Sequence, residues 1–146
     1  MDYESFVSSK RKAEVATGHQ PGELNANLFD FQRAIVAWAV RRGRAAIFAD
    51  TGLGKTLMQL SWADEVAKHT DGAVLILAPL AVSEQTIEQG RMFGIEVSRV
   101  PHGGTAGATG VWITNYERMD SIDFTTPVRL VSLLSSRAMT GRRGRR

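Results

Sequence analysis

The chain has 146 residues and a formal charge of +3, from 18 basic and 15 acidic side chains, and it contains no cysteine. That length accommodates one domain with a real core, while the cysteine count excludes a disulfide framework, a thiol nucleophile and a cysteine-ligated zinc site. Arg129, Arg137, Arg142, Arg143, Arg145 and Arg146 fall in residues 127–146, which hold no acid, leaving 12 basic against 15 acidic side chains in 1–126; the basic balance is therefore no evidence for a basic surface on the folded body.

Taken in chain order, residues 1–17 are polar, with a helix expected that places Phe6 and Val7 on one side. Gly18–Gly22 contains Pro21 and reads as a loop. Leu28–Val40 has apolar residues at close to helical spacing, with Asp30 as the expected N-cap and Gly43 as the expected C-cap behind Arg41 and Arg42. Ala45–Ala49 is a short apolar run that predicts a buried strand, and 50–54 is a glycine-containing turn. Lys55–His69 predicts a helix with Leu57, Leu60, Ala63 and Ala67 on one face. Strands are predicted at 73–78, 95–100, 111–114 and 128–134, with a helix at 82–93 and a glycine-rich loop at 101–110. No internal repeat is visible. Strands alternating with helices predict an α/β sandwich with a mostly parallel sheet.

The longest apolar stretch, Ala73–Val82, is well short of the roughly 20 residues that cross a bilayer, so no membrane partner is expected. The start, Met1-Asp2-Tyr3-Glu4, is acidic and lacks the apolar segment of a signal peptide, which predicts a cytoplasmic location. His19, His69 and His102 have no metal-ligand spacing and are expected in surface or loop roles. No Ser/His/Asp constellation is recognisable.

The strongest chemical signal is Ala49-Asp50-Thr51-Gly52-Leu53-Gly54-Lys55-Thr56, an apolar run before it and an amphipathic helix after it. That is the setting of a phosphate-binding loop, although Ala49 stands where the general pattern has glycine. Gly52 and Gly54 let the backbone turn tightly and approach a phosphate. Loop N–H groups and the positive helix end can cradle a phosphate. Lys55 would reach the β- and γ-phosphates, and the Thr56 hydroxyl would ligate Mg²⁺.

These residues resemble motif I of superfamily-two helicases, the DEAD/DEAH-box-like and Swi/Snf-type proteins. Leu28-Phe29-Asp30-Phe31-Gln32, followed by Trp38, resembles the segment that those proteins place before motif I, and the resemblance implies that Gln32 contacts adenine. An amide donates and accepts at once, as the adenine edge requires; taken alone, Gln32 reads as a solvent-facing helix residue. Phe29 and Phe31 are expected in the core. Leu77-Ala78-Pro79-Leu80-Ala81 resembles motif Ia, and Ile113-Thr114-Asn115-Tyr116-Glu117 resembles motif Ib. The family's loops there hold a nucleic-acid backbone, which implies contacts from Pro79, Leu80, Thr114, Asn115 and Tyr116. Asn115-Tyr116-Glu117 after Ile113-Thr114 is most similar to the phage-like subset. The resemblance covers roughly residues 24–126 and implies a partial RecA-like three-layer sandwich, ATP and Mg²⁺ as ligands, DNA more than RNA as partner, and a second RecA-like lobe in a full-length protein.

The resemblance then stops. The family's next strand ends in motif II, an Asp-Glu pair that anchors Mg²⁺ and orients the attacking water; here the slot holds Val131-Ser132, and no acid follows Asp123. Neither residue can serve as a general base. The expected organisation is a polar arm at 1–23, a partial ATP-binding domain at 24–126 and a basic tail at 127–146. The tail is either disordered or the product of a reading frame lost between about residues 124 and 132, because its Gly-Arg-Arg repeats are typical of GC-rich DNA read out of frame. A rival reading keeps it as a nonspecific binder of phosphate backbones. The expected function is the ATP-binding lobe of a helicase or translocase that hydrolyses ATP poorly alone; the alternative is a non-catalytic nucleotide-binding or interaction module. A sheet cut after four or five strands is expected to leave apolar surface exposed.

Overall fold

The computed structural model describes residues 15–125 and 127–132. The expected N-terminal helix over 1–17 and the arginines beyond position 132 lie largely outside the described residues. Three α-helices are described: α1 (Asp30–Arg42), α2 (Lys55–Thr70) and α3 (Leu80–Met92). Four strands accompany them: β1 (Ala73–Ala78), β2 (Val97–Arg99), β3 (Gly110–Asn115) and β4 (Val128–Ser132), with a 3₁₀ helix at Tyr116–Ser121 after β3.

The strands form one all-parallel sheet in the order β2-β3-β1-β4. β1 lies inside it, and all six of its residues are buried, which is why its sequence is a continuous apolar run with no alternation. Alternate residues still face different layers. Val74, Ile76 and Ala78, with Val111 and Ile113 of β3, pack under Leu60, Ala63, Val66 and Ala67 of α2 and Ile87 of α3. Leu75 and Leu77 face the other way, where Val100, Ala106, Trp112, Met119 and Ile122 cover them. That second layer is the glycine-rich loop and the 3₁₀ helix. The fold class is therefore α/β, consistent with a partial RecA-like three-layer sandwich.

The loop from β2 to β3 lies close because its glycines permit it. A Cβ on Gly107 would come within 2.4 Å of the Trp112 ring, while the Trp112 indole N–H donates to the Thr109 carbonyl at 2.8 Å. On the outer side, α1 packs on the start of α2 through Val36, Val40, Leu57 and Met58. The segment before α1 runs back along its end, with Thr17 N–H donating to Arg42 O and His19 N–H to Val40 O. Gly18 passes so near that a Cβ would lie 1.8 Å from the Val40 carbonyl oxygen. Glu65 of α2 completes this anchor by accepting from the Gly22 N–H at 2.7 Å.

Several sequence expectations are corrected. Residues 45–49 form no strand and make no sheet pairing; Phe48 is 93% exposed. A strand needs a hydrogen-bonded neighbour, and among the described residues the sheet extends from β2 to β4 without reaching this run. Phe29 and Phe31 are not core residues, being 69% and 47% exposed and stacked on one another. The N-cap of α1 is Phe29, and Asp30 is the first helical residue, where its charge complements the positive helix end. The third predicted strand shrinks to Val97–Arg99. Gly43 caps α1 as expected, with φ +79° and its N–H on Ala39 O. His19 is half-buried, with its ring stacked on that of His69 at 3.5 Å between centroids.

Candidate nucleotide-binding site

The chain direction sets where the site lies. α2 ends just before β1 begins and packs along it, so the start of α2 lies toward the carboxyl ends of the strands. α3 begins directly after β1 ends, and the 3₁₀ helix directly after β3 ends. β1 and β3 are parallel neighbours with Ala78 opposite Asn115. The segments at Pro79-Leu80 and Tyr116 therefore leave the sheet side by side, on the edge toward which Gly52–Thr56 also turns. Ligands of open parallel sheets bind outside that carboxyl edge.

The loop before α2 is built by two glycines in the left-handed region, Gly52 at φ +83° and Gly54 at φ +72°. A Cβ would strain both positions. Gly54 is the N-cap of α2, so the cap carries no side chain to accept from the first-turn N–H groups. Those donors and the helix dipole suit an anion. Upstream, the carboxylate of Asp50 accepts from the N–H of its neighbour Thr51 at 2.7 Å. Lys55 folds back on the loop, donating from Nζ to the carbonyl oxygens of Ala49 at 3.0 Å and Asp50 at 2.8 Å. These partners are neutral dipoles, and among the described residues no carboxylate pairs with Lys55. Thr56 is half-buried in the first turn of α2, and its hydroxyl is of the oxygen-donor class that Mg²⁺ takes.

Gln32 is neither solvent-facing nor directed outward. It is 3% exposed. Its Oε1 accepts from the Phe29 N–H at 2.9 Å, and its Nε2 donates to the Leu53 carbonyl at 3.0 Å. The amide thus joins the start of α1 to the phosphate-loop candidate, against Gly54. Sequence reasoning missed this packing. The available signal was a glutamine three residues after the N-cap, which reaches back to the cap N–H; a phenylalanine at the cap hid the pattern.

The five residues assigned to a nucleic-acid backbone divide into two groups. Leu80 and Tyr116 are exposed, and Pro79 is half-buried at the N-cap of α3. Thr114 and Asn115 are buried, and Asn115 Oδ1 accepts from the Arg118 N–H at 3.0 Å, capping the 3₁₀ helix. Their side chains shape the loop, while Leu80 and Tyr116 present its surface.

At the end of β4, Ser132 pairs opposite Leu77, and the strand supplies no carboxylate. Among the described residues no cluster of three or more His, Cys, Asp or Glu side chains could hold a metal ion, and no helix is long and apolar enough to cross a membrane. No protein-family model matches the chain, and none of the curated proteins compared with it matches either.

Proposed function

We propose that the chain is the ATP-binding lobe of a nucleic-acid-dependent ATPase of the helicase or translocase kind, one that holds nucleotide and hydrolyses it inefficiently by itself. The observation that carries this reading is the loop Gly52-Leu53-Gly54-Lys55-Thr56. Two left-handed glycines deliver an uncapped helix start and a lysine bonded to two loop carbonyls, with no carboxylate partner among the described residues, to the carboxyl edge of a parallel sheet. In this reading Lys55 exchanges its two carbonyl partners for phosphate oxygens, and the N–H groups of Gly54–Thr56 receive the remaining negative charge. Thr56 is the residue that would hold Mg²⁺, which supplies neutralisation of the phosphate charge. The loops at Pro79-Leu80 and Thr114–Tyr116, adjacent at the same edge, provide the surface for a nucleic-acid backbone, DNA in preference to RNA. A second RecA-like lobe and a cytoplasmic setting belong to the same proposal.

A second reading, a nucleotide-binding module without catalysis, is favoured by one specific feature. β4 ends in Val131-Ser132 beside β1, where a carboxylate is needed to orient an attacking water. The two readings share nucleotide binding and differ in what the chain joins. Equilibrium binding of ATP with Mg²⁺, compared between the wild type and Lys55→Ala, tests the shared core: an affinity unchanged in Lys55→Ala sinks both. Hydrolysis measured with and without single- and double-stranded DNA then separates them. Weak DNA-dependent turnover supports the ATPase lobe, and none under any condition supports the module. Robust DNA-stimulated turnover by this chain alone contradicts the inefficiency assigned to it.

A further inference from the structure

We propose that Gln32 is a positioning residue for the phosphate loop and not a reader of the nucleotide base. This rests on the reading of Gly52–Thr56 as that loop. Reading a purine edge takes one donor and one acceptor from the amide. Both functions are already engaged inside the chain: Oε1 on the Phe29 N–H and Nε2 on the Leu53 carbonyl. Gln32 is buried, whereas Phe29, whose N–H it holds, is mostly exposed. Turning the amide outward would break its bonds to an N–H at the start of α1 and to a loop carbonyl together, both of them part-buried, and the loss of the two bonds opposes the turn.

The packing says what the amide does instead. A Cβ at residue 54 would lie 2.3 Å from Gln32 Nε2, so the amide sits directly on the Gly54 backbone. Its bond to Leu53 O fixes the plane of the Leu53–Gly54 peptide. No peptide in the described chain is cis, and in a trans peptide the N–H points opposite to the C=O. Holding the Leu53 oxygen toward α1 therefore aims the Gly54 N–H away from α1, as the first donor of the helix start. A donor fixed before the ligand arrives avoids the ordering cost of fixing it on binding. The glutamine and Gly54 act as one unit, and its ligand is the phosphate chain, whatever base is attached.

The test measures dissociation constants of the full chain for ATP, GTP and inorganic tripolyphosphate, each with Mg²⁺, in the wild type, Gln32→Ala and Gln32→Glu. Gln32→Glu keeps an acceptor for the Phe29 N–H and replaces the donor to Leu53 O with a second acceptor. Both variants are expected to lose about tenfold in affinity for all three ligands alike. Hydrogen exchange without ligand is expected to quicken at residues 53–57 and to stay unchanged in β1, which separates loop positioning from general loss of fold. A loss confined to ATP, with GTP and tripolyphosphate unchanged, overturns the inference and restores Gln32 as a base reader. A wild type that binds none of the three overturns the phosphate-loop reading as well, a pattern distinct from the first.

Discussion

Lys55 holds the carbonyl oxygen of Asp50 at 2.8 Å, closing a ring of six residues on the loop it belongs to. A second bond to Ala49 O at 3.0 Å ties the end of the 45–49 run to the same ammonium, beside the packing of Ala49 against the α1–α2 core. Phosphate binding and this support compete for one cation. Lys55→Ala is therefore expected to reduce ATP affinity by about 1.5–3 kcal/mol, the range of a hydrogen bond to a charged group. Global stability should change by less than about 1 kcal/mol, because the lysine's bonds go to two carbonyls of its own loop, which water can satisfy in its place. Calorimetric titration with ATP and a thermal melt of the same variant check the two halves. A large drop in melting temperature would assign Lys55 to the fold.

Gly54 carries two independent constraints, a φ of +72° and the Gln32 amide above it. Gly54→Ala meets both, whereas Gly52→Ala meets only the first, since nothing lies within 4 Å of a Cβ at 52. Gly52→Ala should cost about 1 kcal/mol, the penalty for a left-handed non-glycine residue. Gly54→Ala should cost at least twice as much, because the amide must also move. Urea unfolding of the pair measures the difference; equal costs would mean that the amide yields freely.

Asn115 closes the first turn of the 3₁₀ helix through the Arg118 N–H at 3.0 Å while being 5% exposed. Asn115→Ala removes that acceptor and is expected to destabilise by about 1 kcal/mol, as loss of a helix N-cap does. Asn115→Asp keeps the acceptor and should retain most of the stability. If the loop serves a nucleic-acid backbone, Asn115→Ala weakens DNA binding through a misplaced Tyr116, and Tyr116→Ala weakens it directly. Fluorescence anisotropy with labelled DNA compares the two; DNA binding that survives both variants removes this loop from the interface.

How far the fold was legible depends on what each signal measures. Ala73–Ala78 was bounded correctly because Gly72 and Pro79 punctuate a run long enough for one strand. Ala45–Ala49 carries the same signal and forms no strand, because pairing depends on a neighbour elsewhere in the chain and periodicity contains no information about it. The glycines and Lys55 of the loop were readable since their spacing itself is the geometry. Gln32 was singled out for its chemistry, yet its burial follows from how α1 approaches Gly54, a tertiary relation. Phe29 and Phe31 failed for the converse reason: aromatic residues suggest a core, and here one caps a helix and the other sits in its first turn, ahead of a buried face that begins at Gln32.

The unpaired run makes its own prediction. Phe48 is 93% exposed, and Ala45, Ala46 and Ile47 beside it are exposed as well, an arrangement that a monomer in water keeps only at the risk of association. Phe48→Ser removes the largest apolar side chain from that run without touching the core. Stability should move by less than about 0.5 kcal/mol, since an exposed position makes few contacts to lose. Concentration-dependent association, followed by sedimentation velocity, should fall. Val74→Ser, buried in β1 under α2, should instead lower stability by several kcal/mol. If Phe48→Ser destabilises the chain on that scale, the 45–49 run is packed in solution, and residues 45–49 would regain the strand that their sequence predicts.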